Sequence, residues 1–130
     1  MIDYTILDMK LSYIAGFFDG EGCITIQDAR YYNFMMRACN NDERPIRFIQ
    51  EILGGNVFEK QPTEKRSRSY VWQCSGLVAA GVLEKLFPYL VCKKELARLG
   101  IELACAPVGH RKDIADKIYE INRLHGKGRR

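Results

Sequence analysis

Apolar residues in this chain switch between two periods, and the switches mark out its elements. Leu11, Ile14, Phe17 and Phe18 fall at helical spacing, which predicts a helix over residues 9–20 with Asp8 as its N-cap. Residues 23–28 alternate instead, with Ile24 and Ile26 turned to a core and Thr25 and Gln27 outward. Residues 32–39 answer as a second strand, with Phe34, Met36 and Ala38 on one face and Asn33, Met35 and Arg37 on the other. Asn40-Asn41-Asp42 opens a helix through Ile46, Ile49, Gln50 and Leu53, and Gly54-Gly55 stops it. Strands follow at Asn56–Lys60 and residues 68–75, around a polar loop. Three more helices are expected at residues 77–87, from Lys93-Lys94 to about Ala106, and at residues 112–124. The order αββαββα with extra C-terminal helices predicts an α+β fold whose four-stranded antiparallel sheet keeps one face open.

Composition narrows the class without naming a chemistry. The 130 residues are 47% hydrophobic and 28% charged, ordinary for one globular domain, here read as residues 1–126 with a basic tail at 127–130. No run approaches the ~20 apolar residues of a membrane span. Met1-Ile2-Asp3-Tyr4 lacks the basic start of a secretory signal, so an intracellular protein in an unspecified compartment is expected. The five cysteines are odd in number and lack a CxxC spacing, which favours reduced, mostly buried thiols over a zinc site. Of the net charge of +4, Lys127, Arg129 and Arg130 supply +3, which leaves +1 for residues 1–126 and only a weak pull toward nucleic acid.

The unusual stretch is Leu11 to Gly22. Ser12, Ala15, Gly16 and Asp19 share a helix face opposite the apolar one, and Gly16 and Gly20 lie four apart on it. Glycine inside a helix costs ~1 kcal/mol relative to alanine, and close approach of a second helix gives a reason for two of them. Asp19 and Glu21 then sit at the helix C-terminus, the wrong end of the macrodipole for negative charge unless a cation joins them. Two such acids at a helix-pair junction are hard oxygen ligands suited to Mg²⁺. A solvated terminal acid reads the same way in sequence. Thr25, Gln27, Asn33, Arg37 and Arg68 give the open sheet face long polar side chains able to read base edges, as Gln reads adenine and Arg guanine. A solvated antiparallel sheet is polar on its outer face as well. Lys93 reads either as a solvated helix-start lysine or as a counter-charge for the acids. No phosphate-binding GK[ST] loop and no GxSxG turn occurs.

Ile14-Ala15-Gly16-Phe17-Phe18-Asp19-Gly20-Glu21-Gly22 closely resembles the nine-residue LAGLIDADG motif of homing endonucleases. Leu53-Gly54-Gly55 and Leu86-Phe87-Pro88-Tyr89-Leu90, followed by Lys93, resemble later segments of that family. The resemblance implies a homodimeric, Mg²⁺-dependent, site-specific double-strand DNA endonuclease, with Mn²⁺ as a substitute and a pseudo-palindromic site as substrate. It implies Glu21 as metal ligand, Lys93 as the basic residue near the scissile phosphates, and Ser12, Ala15, Gly16, Asp19 and Gly20 as the dimer interface. It also implies polar residues beside the metals near Ala38 to Asp42, where this chain has Asn40, Asn41 and Asp42. The alternative on the same scaffold is a non-cleaving DNA- or RNA-binding protein, an intron maturase or a regulator.

Overall fold

The computed structural model describes residues 4–28 and 30–124; the tail at 127–130 lies outside the described residues. The chain runs α1 (Tyr4–Glu21), β1 (Gly22–Asp28), β2 (Asn33–Asn40), α2 (Glu43–Leu53), β3 (Asn56–Lys60), β4 (Ser69–Ser75), α3 (Gly76–Leu86), a 3₁₀ turn (Phe87–Tyr89), α4 (Lys94–Cys105) and α5 (Val108–Leu124). The strands form one antiparallel sheet in the order β1-β2-β4-β3. The α+β architecture expected from the sequence is therefore the one observed. No described helix is long and apolar enough to cross a membrane.

The core lies between one sheet face and the helices, where Ile14, Phe18, Ile24, Phe34, Met36, Ile46, Ile49, Trp72 and Leu83 are all buried. Burying side chains of this size contributes about 1.5–3 kcal/mol each. Two sharp local features hold the layers together. Gly54 (φ 77°) ends α2 and its carbonyl accepts the Trp72 indole N–H at 2.7 Å, while a Cβ on Gly55 (φ 93°) would lie 2.5 Å from that nitrogen. At Gly100 a Cβ would come within 3.0 Å of Leu83 and 3.1 Å of Phe34, so α4 crosses α3 closely there.

Three expectations change. Asp8 is not an N-cap: α1 begins at Tyr4, because nothing in residues 5–8 breaks a helix, and the Asp8 carboxylate accepts the Tyr89 hydroxyl at 2.5 Å. The last helix starts at Val108, just after Pro107, rather than at Lys112. Of the cysteines only Cys74 is buried, its thiol pushed up to about 12 by desolvation; Cys92 and Cys105 are exposed.

Helix α5 closes the β1 edge of the sheet. The buried Asn122 amide donates to the Ile24 carbonyl at 2.8 Å, so an edge-strand acceptor is satisfied from the side. Arg111 donates to the Ala106 carbonyl at 3.0 Å and to the Tyr31 carbonyl at 3.2 Å, tying the start of α5 to the β1–β2 connection.

Candidate active site and nucleic-acid interface

The strand register sorts side chains onto two faces, since residues directly opposite share a face. Cys23, Arg37, Gln73 and Asn56 form one row across the open face, beside the pairs Thr25–Met35 and Phe58–Val71. Gln27 sits at a register shift and shares a groove with Met35, Asn56 and Gln73. Asn33 is exposed, and its side-chain oxygen accepts from Arg111 at 3.4 Å. Arg37 and Lys60 are the charged residues of this face among the described strand side chains, both positive. Glu59 falls on the other parity, opposite Tyr70. Arg68 follows it there: it precedes Ser69 and is ion-paired with Glu59 at 2.8 Å. The structure thus brings Thr25, Gln27, Asn33 and Arg37 to the open face, whereas Arg68 lies just before β4, exposed and paired with Glu59 of the other parity.

The three charged residues at the end of α1 have separate surroundings. The Asp19 carboxylate accepts backbone N–H groups from Val91 at 2.7 Å and Lys93 at 3.0 Å, so it fastens the segment leading into α4. Both Asp19 carboxylate oxygens are thus engaged within its own chain. Lys93 is 8% exposed, and its ammonium donates to the Asp19 backbone carbonyl at 2.7 Å, with the Phe18 ring centroid 6.0 Å away. A cation on a C-terminal carbonyl favours the helix macrodipole, so the counter-charge that the sequence called for comes from the chain itself. Of the two sequence readings of Lys93, the solvated one is overturned by its burial, while its ammonium does meet the end of the helix that carries the acids, beside a cleft it lines with Asp19 and Cys23. Glu21 is different. It is exposed, and among the described residues its carboxylate has no hydrogen-bond or ion-pair partner.

The glycines also separate. A Cβ added to Gly16 or Gly20 would meet nothing within 4 Å, whereas at Gly22 it would collide with the Phe18 ring. Gly22 is required by the fold, and nothing in the described chain requires Gly16 or Gly20. Both are exposed, as is Ser12, and the stripe continues through Tyr13 (51% exposed) to Met9 (64% exposed). Ala15 does not belong to it: at 0% exposure it is part of the core, one residue round the helix from the bare face. Tyr13 and Met9 escaped the sequence reading, although Met9, Tyr13, Gly16 and Gly20 keep the 4-3-4 spacing of one face.

Next to Glu21 lies a cleft of about 300 Å³ that it lines with Cys39, Asn40, Asn41 and Ser69. The Asn40 side-chain oxygen is committed to the Asp42 N–H at 2.8 Å, and Asp42 in turn caps α2 through the Arg44 N–H at 2.9 Å. Asn41 is exposed, and its amide has no described partner. Among the described residues no three His, Cys, Asp or Glu side chains converge as a metal-binding group. One chain offers a single free carboxylate with amide oxygens beside it. Hard oxygen donors of this kind suit Mg²⁺ or Ca²⁺, and a second carboxylate has to come from elsewhere.

No family model and no curated protein matches the chain. Solved structures do. The homing endonuclease I-CvuI, in complex with the I-CreI target in the presence of Mg and with its DNA uncleaved, superposes with a TM-score of 0.74 at 23% identity, over 89% of this chain and 83% of that one. I-CvuI with its own target and Ca gives 0.72 at 23% identity, over 90% of this chain and 84% of that one. The archaeal intron-encoded homing endonuclease I-Vdi141I, complexed with DNA, gives 0.67 at 20% identity, over 87% and 84%. The chain has the fold of these homing endonucleases.

Proposed function

We propose that this protein is a homodimeric, divalent-metal-dependent homing endonuclease that cuts both strands of a pseudo-palindromic DNA site. The observation that carries the reading is the end of α1: a free, exposed Glu21 lies beside a bare Gly16–Gly20 stripe that nothing in its own chain fills. When two such stripes meet, the two Glu21 carboxylates supply the charged oxygen donors that one chain lacks. Divalent ions held there would activate water and stabilise both oxygens of an in-line phosphodiester displacement. The chain's own contributions are three. Glu21 holds charge at the dimer axis, Asn41 offers an uncommitted amide to phosphate or water in the adjoining cleft, and the open faces of the two sheets lie along the DNA. Asp19 and Lys93 act at one remove, by fixing the end of the helix that carries Glu21.

The second reading is a non-cleaving DNA- or RNA-binding protein on the same scaffold, an intron maturase among them. The observation that favours it is that the Lys93 ammonium is already committed to the Asp19 backbone carbonyl. Cleavage of intron-junction duplexes by the full chain, with Mg²⁺ or with a chelator, separates the two. Mg²⁺-dependent double-strand breaks support the endonuclease. Tight binding of intron RNA without any nicking in Mg²⁺ or Mn²⁺ selects the second.

A further inference from the structure

Arg37 and Gln73 face each other across the β2–β4 pairing on the open side of the sheet. Arg37 donates to the Gln73 side-chain oxygen twice, from Nη2 at 2.8 Å and from Nε at 3.2 Å. A guanidinium can only donate, which fixes the orientation of the Gln73 amide: its oxygen faces Arg37 and its nitrogen faces away. The two donors occupy both lone pairs of that oxygen. Phe58 supports the arrangement from the neighbouring row, its ring centroid 6.0 Å from the guanidinium carbon of Arg37. Both polar side chains are half-buried. An arginine held in this way has surrendered much of its rotamer freedom before a ligand arrives.

What is left for a ligand is one-sided. After the two bonds to Gln73, Arg37 keeps three N–H groups and the Gln73 amide keeps two, and neither side chain has a free acceptor. A free glutamine reads adenine by accepting from N6–H while donating to N7, and Gln73 has lost the acceptor that this needs. The major-groove edge of guanine shows two acceptors, O6 and N7. The geometry points to Arg37 and Gln73 acting together as a donor-only clamp that reads guanine in duplex DNA. Gln73 is the positioning residue, because it holds Arg37 in place and gives up its own adenine-reading ability in doing so. The inference rests on the open sheet face being the DNA-binding face, as proposed above.

Selection of bound duplexes from a randomised DNA library, by the full chain and by Q73A, Q73E and R37A, tests it. Wild type is expected to enrich guanine at one fixed position of each half-site. Q73A and R37A each lower that preference roughly tenfold or more and leave the other positions unchanged. Q73E, whose carboxylate still accepts from Arg37, recovers the guanine preference that Q73A loses, with weaker binding overall. Several results would overturn the clamp: an unchanged preference in Q73A, adenine enriched at the Arg37 position, a loss spread evenly over all sequences as for a phosphate contact, or binding with no enriched guanine. No duplex DNA binding at all would overturn the DNA-binding reading itself and the clamp with it, so the two failures are distinct.

Discussion

Asp19 and Glu21 lie two residues apart at the end of α1, Lys93 reaches the Asp19 carbonyl from the start of α4, and solvent access divides the three. Lys93 is buried on a backbone carbonyl, and its hydrogen bond is charge-assisted. K93M is expected to lower stability by about 1–3 kcal/mol, read as a fall in the urea midpoint at unchanged slope. An unaltered midpoint would mean that the buried ammonium does not hold the junction. E21Q is expected to leave the midpoint in place, since Glu21 has no described partner to lose. Asp42 makes a pH-dependent contribution at the start of α2. The Arg44 side chain, then the Arg44 N–H, lower its carboxyl from 3.8 to about 2. A folded value below the unfolded one means stability that is present above pH 3.8 and is lost as pH falls toward 2. The Asp42 carboxylate is open to solvent, so the effect is small. D42N keeps an N-cap and should flatten the dependence of the melting temperature on pH below that value; an unflattened profile would assign the acid sensitivity elsewhere.

At the scale of elements, α1 combines a fold-facing side and a bare one, and substitution separates them. G22A is expected to destabilise the monomer by about 1–3 kcal/mol, because the added carbon meets the Phe18 ring. G16L faces open space in the monomer and should leave its melting unharmed while abolishing the proposed dimer, which sedimentation reads directly. A dimer that survives G16L would remove the stripe from the interface. The sequence showed Gly16 and Gly20 in the helix and Gly22 just after it, but not which glycine serves which purpose. That depends on where the Phe18 ring comes to rest, which is a tertiary fact. The pairing of Arg68 with Glu59 was not legible, because it joins the chain just before β4 to β3 across the sheet. Neither was Gln73, because β2 and β4 are distant in sequence and their register is set only when the sheet assembles. Lys93 looked solvated because a helix-start lysine usually is. Its burial follows from the way the Val91–Lys93 segment docks on Asp19.

For the whole molecule, the net charge of residues 1–126 is a modest +1. The described strand side chains on the open face carry Arg37 and Lys60 and no acid, while Glu59 lies on the far side. In the proposed dimer, two copies would double that face along one duplex. Binding should therefore weaken as salt rises, with a slope set by the phosphates neutralised. The most direct test of the central claim is cleavage selection. A supercoiled plasmid library with randomised inserts is incubated with the full chain and Mg²⁺, and the linearised molecules are sequenced, beside an E21Q control. Wild type is expected to linearise plasmids sharing one pseudo-palindromic sequence, and E21Q to bind the same sequence without cutting it. Equal cutting by E21Q, or specific binding by wild type with no linear product, would contradict that claim.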